Sequence, residues 1–488
     1  MTTSVRSEKH GPEKLGTSAD DQDQRRILSV PPPPVPPPKS ARVKSSGIPF
    51  QQRFPYSPAY EPDTTPKCTK ERNLTLAHNN PVHPHHSPAM PAKKTPKSGA
   101  AAAAAAPFTY CVGSPTFRPD EYAADAARRE RANELLARDD LYGATVVSFN
   151  LPAADTYVYH AMTAVRLAEV QRVVAMGGVN GLHAWYRDDE GKPLDPPPRL
   201  DIDAYTQIFS PATQTSSALS SFRANAKKSS VRSRVADHLL ARRYVHPALA
   251  ALLAVPKSKK PASLPPNPYL DFWAWSCRNL EWCGPLPWAQ GDHLQSHHVL
   301  PIFMHHFGCA TPTHEALVVL RTLAAGRAVA DIGSGNGYWS HMLRAYGLQV
   351  HPVDNMQSEW RVNWVPDTLV SDGVAFLRAR DHGKDLVLLL VYPVVGGGVA
   401  GGTEGSFTRG LVDAYAGDTF AVVGTQNRNG YTAFRNMTVD EYMRREQPSW
   451  KKVVQIPLPS FAGKDEALFV FQRGDRAPKD VAEGEDKA

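Results

Sequence analysis

The sequence predicts an α/β protein in which a doubly wound, mostly parallel sheet ends in an antiparallel hairpin. A helical region and a disordered N-terminal tail are expected to precede this sheet. The first 110 of the 488 residues hold 19 of the 44 prolines. From residue 327 onward, near-continuous apolar runs alternate with segments of helical pattern, which is typical of a parallel sheet covered on both faces. The last two apolar runs are about nine residues apart, too close for a crossover helix.

The tail is predicted to be disordered over residues 1–116, because its apolar residues are too sparse to offset the entropy of ordering. It contains P-P-P-P-V-P-P-P at 31–38 and 15 Lys and Arg against 8 Asp and Glu up to residue 110, which accounts for the net charge of +7. The proline run is expected to populate polyproline II, either as a spacer or as a ligand for a protein partner with an SH3- or WW-type groove. A second disordered segment is predicted at 477–488.

Residues 117–193 are predicted to be mainly helical, and residues 194–266 to form a basic linker rich in Ser and Pro. Helices are expected over Glu121–Leu141, which is rich in strong helix formers, and over Thr156–Met176, which two glycines follow. Within the linker, residues 221–260 carry 10 basic residues against one acidic residue. These charges could contact nucleic acid or act as a nuclear address, but a solvated linker is the favoured interpretation.

The folded α/β domain is predicted over residues 267–476. It opens with an aromatic cluster at 271–288, D-F-W-A-W-S-C-R-N-L-E-W-C-G-P-L-P-W, of the kind that packs against a neighbouring domain. Strands are expected at 327–332, 348–353, 385–392, 419–425, 452–458 and 467–472, and helices at 338–345, 373–380 and 407–416. The final two strands are expected to pair as the antiparallel hairpin.

Membrane insertion, secretion and a disulfide framework are not expected. The chain has no run approaching the roughly 18 to 20 apolar residues of a membrane span and no apolar signal segment at its N-terminus. Its five cysteines are odd in number and form no C-x-x-C pair. The chain is therefore predicted to be intracellular, either cytoplasmic or nuclear. Five histidines and three cysteines lie at 277–309, but their spacing matches no recognised ligand pattern, so no metal site is predicted.

The sequence D-I-G-S-G-N-G at 331–337 joins the first predicted strand to a helix. Its glycines allow a sharp turn and a close approach of the backbone to a ligand. Asp354 lies 21 residues after Gly333, at the end of the second strand, where a carboxylate can accept both hydroxyls of a ribose. This pattern resembles motif I and the element order of the class I S-adenosylmethionine-dependent methyltransferases, over roughly the last 190 residues and including the late hairpin.

The resemblance implies that the chain is an enzyme that transfers a methyl group from S-adenosylmethionine to an acceptor that the sequence does not identify. It implies that Asp331 attracts the cationic end of the cofactor and that Asp372, in S-D-G at 371–373, contacts the adenine amino group. The residues expected to bind the cofactor are Asp331, Gly333, Ser334, Gly335, Asn336, Gly337, Asp354, Asn355 and Asp372.

The segment after the fourth strand departs from one pattern within this family. Members that methylate exocyclic amines carry an Asp or Asn there, followed by Pro-Pro and an aromatic residue. Here the segment reads V-Y-P-V-V at 391–395, so an acceptor of that kind is not favoured. Tyr392 and Asn427 are the predicted catalytic residues, because each follows a parallel strand at the edge of the sheet where ligands bind.

Two further groups of residues are candidates for the acceptor side. Gln426, Arg428 and Asn429, in the polar loop after the fifth strand, either bind the acceptor or form a hydrogen-bonded turn. His314 and Glu315 precede the first strand and act as a lid or base, or simply begin a helix.

Two other function classes are weighed against a methyltransferase. An NAD-dependent oxidoreductase is not favoured, because Tyr338 stands where the G-x-G-x-x-G pattern wants a small residue for close helix packing. The alternative of a non-catalytic module stays open. In it, a methyltransferase-like domain assembles with partners through the tail and the aromatic cluster at 271–288. Nucleic acid as a partner also stays open.

Overall fold

The computed structural model of the chain describes residues 109–161, 163–286, 296–397 and 402–479. The predicted tail up to residue 108 and the C-terminal segment from residue 480 lie outside the described residues. Within the described ranges the strands are β1 Thr109–Tyr110, β2 Val158–His160, β3 Ala164–Arg166, β4 Tyr244–Val245, β5 Val329–Ile332, β6 Val350–Asp354, β7 Leu369–Val370, β8 Val387–Val391, β9 Thr419–Thr425, β10 Lys451–Pro457 and β11 Glu466–Gln472. The α-helices in the same ranges are α1 Pro119–Ala124, α2 Ala126–Leu136, α3 Leu141–Phe149, α4 Leu167–Met176, α5 Arg199–Gln207, α6 Thr215–Ala224, α7 Val231–Arg242, α8 Pro268–Asn279, α9 Val299–Phe307, α10 His314–Ala324, α11 Tyr338–Ala345, α12 Gly373–Arg378, α13 Ser406–Ala414 and α14 Val439–Glu446.

A nine-stranded mixed sheet forms the centre of the molecule, in the order β1-β7-β6-β5-β8-β9-β11-β10-β4. The five neighbours from β7 to β9 run parallel to one another. Beyond β9, the strands β11, β10 and β4 are added antiparallel, and β1 pairs antiparallel with β7 at the other edge. The predicted α/β class with a largely parallel central sheet is confirmed, and so is the antiparallel pairing of the last two strands.

The sheet is covered on both faces, as the near-continuous apolar strands predict. Alternate residues of each strand point to opposite faces, and they fall into two separate apolar cores. Leu389 of β8 packs in one core, whereas Leu388 and Leu390 pack in the other. The first core is shared with α8, α9, α10, α11 and the N-terminal helices, and the second with α12, α13 and α14.

The N-terminal helical prediction is corrected in two places. The segment predicted as one helix over Glu121–Leu141 is interrupted by Asp125 and Asp140, whose side chains accept hydrogen bonds from the N–H groups that begin α2 and α3. The first half of the helix predicted over Thr156–Met176 is instead the hairpin of β2 and β3. The helix begins at Leu167, where the Glu169 carboxylate accepts a hydrogen bond from the backbone N–H of Arg166 at 2.8 Å.

The linker predicted over residues 194–266 is also corrected. This stretch contains α5, α6 and α7, and its Tyr205, Leu219 and Val235 are fully buried in the first core. It also supplies β4, which pairs with β10 at one edge of the sheet. The Ser, Pro and basic composition favoured a linker, but the apolar residues are spaced at three- and four-residue intervals, as in amphipathic helices, and the apolar patch at 235–254 already allowed a helix, which α7 partly occupies. Similarly, β1 lies within the range predicted as a disordered tail.

The aromatic cluster that begins the predicted α/β domain is buried, as expected. Phe272, Trp273 and Trp275 of α8 are at most 4% exposed. The indole N–H groups of Trp273 and Trp282 both donate to the backbone carbonyl of Ser460, at 3.1 and 2.9 Å. This cluster therefore holds the loop between β10 and β11. Residues 287 and 288 of the cluster lie outside the described residues.

None of the helices in the described part of the chain has the length and apolar composition that a membrane span requires.

Candidate functional site

The strand order reverses between β5 and β8, so the connections that leave these neighbouring strands go to opposite sides of the sheet. A crevice at the carboxyl ends of the strands results at such a point, and it is where ligands bind in open α/β sheets. The glycine loop at 333–337 lies there, between β5 and α11. Gly333, Gly335 and Gly337 all have positive φ, at 75°, 58° and 78°. These are backbone conformations that side chains disfavour, which explains the residue type at all three positions.

Neighbouring side chains leave no room for a Cβ atom at two of the glycines in the loop. A Cβ atom at Gly335 would lie 3.0 Å from the indole of Trp360, and one at Gly337 would lie 2.3 Å from Val365. The backbone N–H groups of Gly333 and Ser334 donate to the carbonyl of Val353, which ties the loop to β6. The loop is therefore tightly fixed and passes close to neighbouring side chains.

Asp354 ends β6 and closes the glycine loop from the other side. Its Oδ2 accepts a hydrogen bond from the backbone N–H of Gly335 at 2.9 Å, and its Oδ1 accepts one from the backbone N–H of Met356 at 2.7 Å. A carboxylate has about four acceptor positions, so two remain for a ligand. Partial burial raises the pKa of Asp354, while the two backbone N–H groups lower it. Asp354 thus has a structural role that the sequence pattern did not predict.

Asp331 is completely buried at the carboxyl end of β5. Its Oδ2 accepts a hydrogen bond from the Ser340 hydroxyl at 2.7 Å, whereas its Oδ1 has no hydrogen-bond partner among the described residues. Burial, with a smaller contribution from the charge of Asp354, raises the pKa of Asp331 to about 7, against the hydrogen bond from Ser340 and the charge of Arg344. A cationic group next to this carboxyl would stabilise its ionised form.

Three more buried polar atoms close to the glycine loop lack partners in the described ranges. They are the Ser334 hydroxyl, the Asn336 side-chain amide nitrogen and the indole nitrogen of Trp360. Buried polar atoms are normally hydrogen-bonded, and each one left unpaired costs about 1 to 3 kcal/mol. Together with Asp331, the set offers one anionic acceptor, one hydroxyl and two N–H donors. This donor set fits a ligand that carries an ammonium group, a carboxylate and hydroxyls.

Two of the predicted cofactor residues are occupied with local contacts. Asn355 is exposed, and its side-chain oxygen accepts a hydrogen bond from the backbone N–H of Gln357 at 3.1 Å. Asp372 is exposed and caps α12 by accepting a hydrogen bond from the backbone N–H of Ala375 at 2.9 Å. Both side chains keep free acceptor positions, but their present geometry is that of a turn and a helix cap.

Tyr392 follows β8 directly and has φ of 56°, an uncommon conformation for an aromatic residue. Its backbone N–H continues the sheet by donating to the carbonyl of Val423 at 2.8 Å. Its hydroxyl is buried without a hydrogen-bond partner in the part of the chain that the structure describes. Burial raises the pKa of Tyr392 well above its usual value, with Glu466 and Cys309 nearby as further causes.

The loop after β9 divides into residues that serve the fold and residues with free polar atoms. Gln426 is buried and donates to the Asp465 carboxylate at 2.7 Å, and Arg428 points outward to pair with Glu441. By contrast, the side-chain oxygen of Asn427 and the amide nitrogen of Asn429 are buried without partners among the described residues. The loop is thus partly a hydrogen-bonded turn, with Asn427 and Asn429 left as ligand-binding candidates.

His314 and Glu315 have partners outside the glycine loop. The Nδ1 atom of His314 lies 3.0 Å from the hydroxyl of Tyr346, and the Glu315 carboxylate pairs with Arg243. Both residues begin α10, with Thr313 as its cap. Their contacts favour the interpretation as the start of a helix.

A group of polar residues around the hairpin loop was not predicted from the sequence: the buried Lys464 and Glu466, together with the half-buried Cys309 and Tyr431. Lys464 is 5% exposed and Glu466 is 1% exposed. A signal exists in the sequence: G-K-D-E at 463–466 places three consecutive charges between two strongly apolar strands. Charges in a hairpin loop are ordinarily exposed, and nothing local in the sequence indicates their burial.

Among the described residues, no group of three His, Cys, Asp or Glu side chains is placed so that it could hold a metal ion.

No protein-family model matches the chain, and no curated protein matches it significantly.

Proposed function

We propose that this protein is a class I S-adenosylmethionine-dependent methyltransferase with a doubly wound core from β5 to β11. Five parallel strands in the order β7-β6-β5-β8-β9 correspond to the 3-2-1-4-5 order of the doubly wound folds. The next position is taken by an antiparallel strand of a hairpin, the feature by which this family departs from dinucleotide-binding sheets. The order therefore supports the resemblance that D-I-G-S-G-N-G introduces.

The single observation that carries the proposal is the set of buried, unpaired polar atoms around the closed glycine loop. S-adenosylmethionine carries an amino acid, a sulfonium and a ribose. The Asp331 carboxyl suits the ammonium, the N–H groups of Asn336 and Trp360 suit acceptor oxygens, and Asp354 has acceptor positions for the ribose hydroxyls. This cofactor, when bound, supplies an activated methyl group, and the protein contributes binding and alignment of the two reactants.

The test is isothermal titration of the full chain with S-adenosylmethionine and S-adenosylhomocysteine. Both are expected to bind the unmodified protein. Gly335→Ala should reduce affinity at least about tenfold, because the new methyl group enters the loop where the ligand must approach and strains a backbone with φ of 58°.

The matched control is Gly347→Ala. Gly347 also has positive φ, at 86°, but it follows α11, and a Cβ there would meet no atom within 4 Å. This variant carries similar backbone strain and should bind both ligands normally. Absence of binding by the unmodified protein would refute the proposal, and equal losses in the two variants would show that the glycine loop is not the site.

A further inference from the structure

A second group of buried polar side chains lies beside the glycine loop, on its β8 and β9 side. Gly308 borders the loop, since a Cβ there would lie 3.6 Å from Asn336. Burial raises the pKa of the neighbouring Cys309 thiol, and the nearby charges of Lys464 and Glu466 lower it and raise it, respectively. Register places Glu466 directly opposite Thr425, at the carboxyl end of β9. The hairpin loop therefore brings Lys464 to the same edge of the sheet as Tyr392.

The surroundings of Lys464 are aromatic. Its Nζ atom lies 3.2 Å from the centroid of the Tyr431 ring and 5.7 Å from that of Tyr392. The described residues place no carboxylate oxygen within 4.0 Å of this nitrogen. A buried ammonium on aromatic faces gains cation–π energy, but it lacks the anionic partner that buried charges usually have. Burial lowers the pKa of Lys464 to about 8, while the charge of Glu466 opposes that shift.

Two oxygens of this cluster also lack hydrogen-bond partners among the described residues. The Tyr392 hydroxyl and the Glu466 Oε1 atom are buried and have no hydrogen-bond partners among the described residues. Glu466 is 1% exposed, and burial raises its pKa to about 8. The cluster thus contains a cation, a hydroxyl and a carboxyl at the edge of the sheet where Tyr392 lies.

We infer that this cluster is the acceptor site, and that the acceptor is a small planar molecule that presents an oxygen anion, a carboxylate or a phenolate, to Lys464. This inference rests on the proposed methyltransferase function. Lys464 has no carboxylate oxygen within ion-pair distance among the described residues, so an anion bound beside it would stabilise its charged form, and the rings of Tyr392 and Tyr431 favour a flat molecule. The Tyr392 hydroxyl donates to the same anion or to a neighbouring oxygen.

The chemistry balances without a further reactant. The ionised acceptor oxygen forms a bond to the methyl carbon, the bond from that carbon to sulfur breaks, and its electron pair stays on sulfur. One negative and one positive charge are thereby neutralised. Lys464 favours the ionised acceptor on binding, so the proton is lost to solvent beforehand and no separate base is needed at the moment of transfer.

The experiment measures binding rather than turnover. The full chain is saturated with S-adenosylhomocysteine and titrated with benzoate and with 4-nitrophenolate, which distinguish the two anion types. Benzamide and 4-nitroanisole are their neutral counterparts. At least one anion should bind about tenfold or more tightly than its neutral counterpart, as expected for one charged hydrogen bond.

Lys464→Met should abolish this preference and leave S-adenosylhomocysteine affinity within about twofold. Tyr392→Phe, which keeps the ring, should weaken anion binding without changing the affinity for S-adenosylhomocysteine. The matched control is Lys452→Met: Lys452 lies on the same hairpin, 5.6 Å from the centroid of the Tyr244 ring, but it is already paired with Asp440 at 3.0 Å. This variant should keep the anion preference.

The outcomes separate the inference from the proposed function. If the unmodified protein does not bind S-adenosylhomocysteine, the proposed function and the inference about the acceptor are both refuted. If it binds that molecule but takes neither anion more tightly than its neutral counterpart, the inference alone is overturned. The inference is also overturned if Lys464→Met and Tyr392→Phe both bind S-adenosylhomocysteine and the anions as the unmodified protein does.

Discussion

At the scale of single residues, Tyr392 carries two costs that its surroundings do not offset. Its φ of 56° is unfavourable for a bulky side chain, and its buried hydroxyl is unpaired among the described residues. Each costs on the order of 1 to 3 kcal/mol. Phenylalanine would remove the second cost and fill the same space. Backbone strain concentrates at functional sites, and an unpaired buried polar group needs an explanation, so the two features together support a role of Tyr392 toward a ligand.

Asp331 gives a pH-dependent prediction. Because burial raises its pKa from 3.8 to about 7, the folded protein binds more protons than the unfolded chain between these values. The free energy of unfolding should therefore fall as the pH rises through this window. Binding of an ammonium group requires the ionised form, so S-adenosylhomocysteine should bind more tightly as the pH rises from about 5.5 to about 7.5, with release of a proton.

Isothermal titration in two buffers of different ionisation enthalpy measures this proton release directly. Asp331→Asn cannot ionise and should lose both the proton release and the rise in affinity. An affinity that does not vary with pH in the unmodified protein would show that Asp331 does not face the ammonium.

At the scale of elements, α7 is joined to α10 by an ion pair. Arg243, just after α7, donates to the carboxylate of Glu315 at 3.0 Å, and the two side chains are 17% and 9% exposed. Arg243→Ala would leave a buried carboxylate unpaired and should lower the free energy of unfolding by about 3 to 5 kcal/mol. Denaturant unfolding measures this change.

The exposed Arg131 of α2 provides the control, since Arg131→Ala should change stability by less than about 0.5 kcal/mol. A second variant, Arg243→Ala combined with Glu315→Gln, removes both charges and should recover part of the loss. If Arg243→Ala unfolds at the same denaturant concentration as the unmodified protein, α7 is not fixed to α10.

The sequence predicts well those elements whose own apolar pattern shows which of their residues are buried. The strand predicted at 419–425 coincides with β9 and the helix predicted at 338–345 with α11, because the first is a near-continuous apolar run and the second is apolar at the helical period. β7 has only two residues and leaves no periodic pattern. α14 was not predicted because, of its eight residues, just Val439, Tyr442 and Met443 are buried.

The glycine loop and the cluster around Lys464 also differ in how far their own sequence indicates their structure. The glycine loop and Asp354 belong to a local pattern with fixed spacing, so the sequence predicted their proximity. Lys464 meets Tyr392 and Tyr431 only through the register of β11 against β9 and the anchoring of Ser460 by two tryptophans. Such contacts depend on tertiary structure, which no spacing rule along the chain provides.

At the scale of the whole molecule, the predicted α/β domain shares its apolar core and one edge of its sheet with the segments before it. β4 adds an edge strand to β10, and residues before 267, such as Phe149, Tyr205 and Val235, complete the apolar core on one face of the sheet. The Tyr205 hydroxyl also accepts a hydrogen bond from the backbone N–H of Ser460, at 3.3 Å. The N-terminal helices therefore stabilise the hairpin loop that carries Lys464.

A truncation tests this dependence. A fragment of residues 109–479 should unfold in a single transition in differential scanning calorimetry, because both regions share one core. A fragment of residues 267–479 would expose that core to water and lose the partner of Glu315, so it should show no cooperative transition and no binding of S-adenosylhomocysteine. A sharp transition together with ligand binding in the shorter fragment would instead show that the predicted α/β domain folds alone. In that case the helices from α1 to α7 would be a separate domain docked onto a finished sheet, and the position of Lys464 would have to be set by the hairpin itself.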